Sequence, residues 1–276
     1  MITPDEAVHE QLLRQVLRVL GAMDLRQSPP AMAQRIHRLI RELTGESDPY
    51  SAVKDRFNHL ALDIYPELKE RVERSADPLA TAMRLVIAGN VIDLGVNNHL
   101  GDEEVHEAID HALNTPFDAD LASFREAVSS AKDILYLADN AGEIVFDKLL
   151  IEQMPLEKVT VAVKGSPIIN DATMEDAEQT GLTELVEVID NGSDAPGTIL
   201  DDCGEAFRQR FDEVDLVIAK GQGNYETLSD VEKDIFFILK AKCPVIARDL
   251  GCPVGSLILR RSAVTVTKGG DSYATR

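Results

Sequence analysis

A chain of 276 residues with 44% hydrophobic content is long enough for one large domain or two ordinary ones, each with a full core. Its 28 basic residues against 48 acidic ones leave a net charge of −20, which repels nucleic acid and anionic membrane surfaces, and no apolar run approaches the roughly 20 residues that cross a bilayer. The acidic start, Met1-Ile2-Thr3-Pro4-Asp5-Glu6, is no signal peptide, and the three cysteines, Cys203, Cys243 and Cys252, form no C-x-x-C; a cytoplasmic protein with reduced thiols is expected.

The first part of the chain has helical periodicity almost throughout. Leu12, Leu13, Val16 and Leu20 fall on one face; Ile36, Ile40 and Leu43 repeat the pattern. Leu79, Met83, Leu85 and Val86 begin a helix that runs into Gly89-Asn90, and Val105, Ile109 and Leu113 make another amphipathic segment. Pro29-Pro30, Asp77-Pro78 and Pro116 punctuate these runs. Short β-rich runs then alternate with helical ones. Strands are expected over 134–138, 159–163, 185–189, 216–219 and 245–247, and helices over 144–153, 172–180, 198–211 and 230–240. A late strand is expected over 264–267 and a frayed tail after it. This rhythm predicts an α/β fold, a mostly parallel, doubly wound sheet over 131–276, preceded by an all-helical domain over 1–130.

Each of the earlier strands ends in a polar, glycine-bearing cluster. After the first come Asp139, Asn140 and Glu143; after the second, Lys164-Gly165 through Asn170-Asp171-Ala172-Thr173. After the third comes Asn191-Gly192-Ser193-Asp194-Ala195-Pro196-Gly197-Thr198, and after the fourth, Lys220-Gly221-Gln222-Gly223-Asn224. In open α/β sheets the ligand crevice lies outside the carboxyl ends of the strands. Asp and Asn at such places ordinarily cap helices, and Asp171 could cap the helix that follows it. Asp139 and Asn140 at one strand end with Asp171 at the next, and no basic residue beside the pair, favour a seat for a hard cation. All six histidines, His9, His37, His59, His99, His106 and His111, lie in the helical part, so the α/β part has no imidazole for base work or zinc. Oxygen ligands suit Mg²⁺ or Mn²⁺.

Weaker signals fail. No G-K-[ST] closes the 165–173 loop as a Walker motif would, and Gly221-Gln222-Gly223 lacks the third glycine of a dinucleotide fingerprint. Cys252-Pro253 reads as a turn, with no neighbour to lower the thiol pKa.

Gly-Asn-Val-Ile-Asp at 89–93, Asp-Asn-Ala-Gly-Glu at 139–143, Asn-Asp-Ala-Thr at 170–173, Asn-Gly-Ser-Asp-Ala-Pro-Gly-Thr at 191–198 and Lys-Gly-Gln-Gly-Asn-Tyr-Glu-Thr-Leu at 220–228 occur in this order. In these elements the chain resembles the DUF89 family, the damage-control phosphatases or ARMT1-like proteins, in its prokaryotic form. The resemblance implies a helical N-terminal domain beside a Rossmann-like α/β domain, and metal-dependent phosphatase activity on small phosphorylated metabolites. It implies metal ligands at Asp139, Asn140 and Asp171, with Co²⁺ or Ni²⁺ as further candidates beside Mg²⁺ and Mn²⁺. It also implies a phosphate-binding lysine at Lys220 and a contribution to the site from Asn90 and Asp93. Glu143 and Asn224 join them as candidate substrate-side residues. Prokaryotic relatives of this type often carry a C-x-x-C just before an Arg-Gln pair; here Val8 and Gln11 stand in those places before Arg14-Gln15.

The expected activity is hydrolysis of a phosphomonoester, either by a metal-oriented water or through attack by Asp139 itself. A non-catalytic metal- and phosphometabolite-binding protein is the alternative from another class, and a carboxyl methyltransferase a third.

Overall fold

The computed structural model of the chain describes residues 5–89, 107, 109–111, 113–115, 117 and 120–262. Asn90, Asp93 and the strand expected over 264–267 lie outside the described residues.

The N-terminal part supplies α1 (Glu6–Ala22), α2 (Pro29–Thr44), α3 (Ser51–Glu73), α4 (Pro78–Gly89) and α5 (Leu121–Ser130). Local sequence sets their ends. Asp5 caps α1 by accepting from the Ala7 N–H, Pro29 opens α2, and Gly45 closes it in the left-handed conformation. α1 buries no residue fully, and Leu13 and Leu17 on it are exposed.

A six-stranded sheet follows: β1 (Ile134–Leu137), β2 (Val159–Val163), β3 (Glu187–Asp190), β4 (Leu216–Lys220), β5 (Ile235–Lys240) and β6 (Leu257–Arg261), in the order β3-β2-β1-β4-β5-β6. All neighbours pair in parallel except β5 with β6. The helices between strands are α6 (Glu143–Ile151), α7 (Met174–Gln179), α8 (Glu205–Glu213), α9 (Gly221–Leu228) and α10 (Pro244–Leu250). The strand order reverses between β1 and β4, so the carboxyl ends of those two strands form the switch-point crevice of a doubly wound sheet.

Two expected elements are exchanged. The run over 235–240 is a strand, not the end of a helix, and Pro244–Leu250 is a helix, not a strand. Ile235-Phe236-Phe237-Ile238-Leu239 is buried throughout, and an apolar run without alternation fits a buried strand or a buried helix equally by period. Pro244 at the first helical position and Gly251 at φ 69° mark the helix ends. Val245 is 70% exposed, which a central strand would not allow.

Alternate residues of each strand face opposite layers. Leu135, Leu137, Val217, Ala219, Phe237 and Leu239 pack on α8, α9 and α10, which bring Phe207, Phe211, Tyr225, Leu228 and Ile246. On the other face, Ile134, Tyr136, Val161, Ile218 and Phe236 share one cluster with α6 and with Phe57, Leu68, Met83, Leu85 and Ile87 of α3 and α4. The helical part therefore forms one cover of the sheet. A fragment of residues 131–276 is expected to be insoluble or to lack cooperative unfolding, since each core side chain it uncovers forfeits about 1.5–3 kcal/mol. A sharp thermal transition of the isolated fragment would contradict this.

α2 is fastened across the sheet edge as well. Gln34 donates to Asp194 and Asp202, both at 2.7 Å. Arg38 and Arg41 pair with Asp194. Asp194, on the loop after β3, is thus an anchor for the helical cover.

Candidate active site

The carboxyl ends of β1, β2 and β4 bring the predicted ligands together. Beyond β1 the backbone of Asn140 bridges that of Asp171, Ala172 N–H donates to the Asp139 carbonyl at 2.8 Å, and Ala141 N–H donates to the Asn170 carbonyl at 2.8 Å. Two turns from different strands are thereby sewn side by side. Ile169, at φ 46°, leads into this second turn; positive φ is unusual for a β-branched residue and marks a tightly determined backbone.

Asp139 is half-buried, and its carboxylate lies against Gly221, the first residue of α9. A Cβ at Gly221 would overlap that carboxylate, and φ there is 81°, so glycine is required twice over. Gly165 sits against the backbone of Gly192, Gly192 against that of Gly204, and Gly197 against that of Gly223 on α9. Those glycines let the segments beyond β2, β3 and β4 touch one another.

Burial pushes the Asp139 carboxyl well above its usual range, and the charges of Glu143 and Asp171 add to this; Lys242 and Lys220 act in the other direction. Burial pushes Asp171 up to about 6 against the pull of Lys164. The Lys164 ammonium stands 3.4 Å from Asp171 Oδ2 and donates to the Gly197 carbonyl. Asp171 Oδ2 itself is buried and accepts no hydrogen bond. Asn140 turns its Nδ2 toward Glu143 Oε1 at 2.6 Å and Asp139 Oδ2 at 3.3 Å, which orients its carbonyl oxygen away from both.

These features fit a divalent cation. Two carboxylates and an amide stand at adjoining strand ends, one buried carboxylate oxygen accepts no hydrogen bond, and all the oxygen donors are hard. Among the described residues no group of three or more His, Cys, Asp or Glu is arranged to hold a metal. The set suits an ion that takes few protein ligands and keeps several waters, as Mg²⁺ does.

Lys220 ends β4 and is fully buried. Its ammonium lies 3.2 Å from Asp147 Oδ1, 3.4 Å from Glu143 Oε2 and 3.4 Å from the Val86 carbonyl of α4. Burial opposes its charge, but Asp147, Glu143 and Asp139 outweigh that and hold its pKa above the usual lysine value. Glu143 is buried between Asn140 and Lys220, linking the two. Asn224 lies beneath the site. It is fully buried, accepts from the Thr198 hydroxyl at 2.7 Å, and donates to the carbonyls of Lys220 at 2.7 Å and Ala138 at 3.3 Å. Its amide is committed to tying β1, β4 and the loop after β3 together.

The structure adds residues that sequence reasoning missed. Lys164 is one; the repeated pattern of apolar strand, Lys, Gly at 164–165 and 220–221 was the available signal. Lys242 follows β5, and its place at a strand end was hidden when β5 was read as helix. Tyr136 and Asp147 form a buried pair at 2.8 Å below Lys220.

The family model described as the damage-control phosphatase ARMT1-like domain matches residues 1–258. A damage-control phosphatase of Archaeoglobus fulgidus is 39% identical over 266 residues, covering 94% of this chain and 92% of that one. A damage-control phosphatase of Pyrococcus horikoshii is 34% identical over 268 residues, covering 95% and 92%. The crystal structure of a DUF89 family protein from Pyrococcus horikoshii superposes with a TM-score of 0.86 at 33% identity, covering 95% of this chain and 92% of that one. The chain belongs to the DUF89 family. Its fold is similar to that DUF89 structure over most of both chains.

In this DUF89 chain the buried Asp147 makes a pH prediction. Burial pushes its carboxyl up to about 6 although Lys220 pulls it down. An unfolded Asp titrates at about 3.9, so the folded chain binds this proton more tightly. The group's contribution to stability is then largest at low pH and declines as pH rises through that window. Wild type is expected to lose thermal stability relative to Asp147→Asn between about pH 4 and 6.5. Parallel Tm profiles for the two proteins would show that Asp147 stays ionised throughout.

Proposed function

We propose that this chain is a divalent-metal-dependent phosphatase acting on phosphomonoesters of small metabolites. Family membership, with relatives named damage-control phosphatases, gives it a phosphatase role. The metal dependence is read from one observation: the buried Asp171 Oδ2, which accepts no hydrogen bond and is faced by the Lys164 ammonium at 3.4 Å, lies on a turn whose backbone bridges that of Asn140, next to Asp139, at the switch-point crevice.

Asp139, Asn140 and Asp171 would hold the cation. When bound, it would neutralise charge developing on the phosphoryl group and orient the attacking water. Lys220 contributes a fixed positive charge at the end of β4, and α9 begins at the next residue. Glu143 holds Asn140 and Lys220 in register. In a chain of net charge −20 whose site lysines are already matched by buried carboxylates, the bound cation would supply the positive charge that lets an anionic substrate enter. Three unpaired cysteines suit a reducing cytoplasm, and among the described residues no helix is long and apolar enough to cross a membrane.

The test is release of inorganic phosphate from a panel of sugar phosphates, phosphopantetheine compounds and nucleotides, with Mg²⁺, Mn²⁺, Co²⁺ or Ni²⁺. Turnover that needs added metal and stops with EDTA supports the reading. Metal-independent turnover, or tight binding without turnover, would replace it.

A further inference from the structure

The cation site is assembled from the α/β half, yet its two turns are both fastened by one residue of the helical half. Asn58, on α3, is fully buried. Its Oδ1 accepts from Gly142 N–H at 2.7 Å, and its Nδ2 donates to Asp176 Oδ1 at 2.9 Å and to Gln179 Oε1 at 2.6 Å. Gly142 lies two residues beyond Asn140, where the first N–H groups of α6 have no helical acceptor. Asp176 leads to the other turn. Its Oδ2 accepts from the backbone N–H of Thr173 at 2.9 Å, the Thr173 hydroxyl at 2.7 Å and Lys54 at 3.0 Å. Thr173 lies two residues beyond Asp171. The preceding residue, Phe57, closes on the first turn from the same helix: a Cβ at Gly142 would come within 3.0 Å of Phe57 Cβ.

We propose that Asn58 is a positioning residue for the cation site. It sets the spacing between the turn that carries Asn140 and the turn that carries Asp171, so that metal affinity of the α/β half depends on α3. This rests on the reading of Asp139, Asn140 and Asp171 as ligands. Groups that orient metal ligands from behind commonly govern affinity as strongly as geometry at the metal does. Here the orienting group comes from a different part of the chain, and its amide fills a donor and an acceptor role at once.

The experiment is calorimetric titration of Mn²⁺ into the full-length metal-free protein, with Tm recorded for each variant. Asn58→Asp keeps the acceptor for Gly142 but sets a carboxylate against Asp176. It is expected to weaken Mn²⁺ binding about 10–100-fold. In Asn58→Asp with Asp176→Asn the donor and acceptor are exchanged, and affinity should return to within about 3-fold of wild type. If Asn58→Asp does not fold, Asn58→Ser is titrated instead, since it leaves Asp176 without its donor and adds no charge. A merely stabilising Asn58 would lower Tm and leave affinity unchanged, and that result overturns the proposal. Asp171→Ala is the control that separates the two readings. If it abolishes binding while the Asn58 variants bind normally, the ligand assignment stands and the positioning role fails. If it too binds normally, the ligand assignment itself is wrong.

Discussion

Asp139→Ala and Asp171→Ala are each expected to abolish Mn²⁺ binding and metal-dependent phosphate release while the protein remains folded. Both carboxyls are held at pKa values above the ordinary range, by burial first and, for Asp139, by the neighbouring Glu143 and Asp171 charges. Removing Asp139 relieves repulsion from Glu143 and Asp171, so stability without metal should hold or rise; removing Asp171 leaves the buried Lys164 ammonium without its carboxylate, so stability without metal should fall. In wild type, saturating metal should raise Tm, because a ligand that binds only the folded state stabilises it by mass action. That metal-induced rise should vanish in both variants. Truncating a ligand removes the ion together with its charge stabilisation, so activity and metal-linked Tm are expected to be lost together. A variant that keeps wild-type Mn²⁺ affinity by calorimetry would take its residue out of the site.

Lys220→Ala is expected to lower kcat/KM by about 10²-fold or more, the scale for loss of an electrostatic donor. Mn²⁺ affinity should change little. The burial of Lys220 complicates this variant, because Glu143 and Asp147 are left as enclosed carboxylates, and stranding a buried charge costs about 3–5 kcal/mol. Lys220→Met combined with Asp147→Asn removes one charge of each sign and keeps the volume. It should recover stability but not turnover. Lys220→Arg should rescue poorly, since a planar fork does not fit an enclosure built for a compact ammonium. Near-wild-type kcat/KM in the Met/Asn pair would reduce Lys220 to a structural counter-ion.

Much of this arrangement is legible in the chain. The strands over 134–137, 159–163 and 216–220 are short apolar runs ending in polar turns, and Asp139, Asn140, Asp171 and Lys220 fall where such strands stop. Pattern at short range suffices for that. It fails at 235–240, where an unbroken apolar run carries no period, and so hides both β5 and the strand-end position of Lys242. It also fails at Asn58. Nothing near that residue announces a partner 84 positions away at Gly142; the helix around it reads as an ordinary amphipathic segment. Asn224 shows the opposite case. A polar residue in a glycine-rich turn reads as a ligand contact, yet three-dimensional closure turns its amide inward onto two strands.

The strand order carries a consequence for how the molecule comes into being. During synthesis Asp139 and Asp171 emerge on adjoining strands, β1 and β2, joined by a single crossover. Lys220 arrives later, because Ile134 pairs with Leu216 on the far side of β1. Until β4 docks, β1 is an open edge, with its backbone groups unpaired on that side, and the acidic turns lack the buried ammonium that balances Glu143 and Asp147. Insertion of β4 closes the edge and delivers the positive charge in the same event. A nascent chain stalled before residue 216 would therefore be both adhesive along β1 and electrically unbalanced beneath its acidic turns. The last long-range pairing made by β1 is thus also the step that brings the Lys220 ammonium to Glu143 and Asp147.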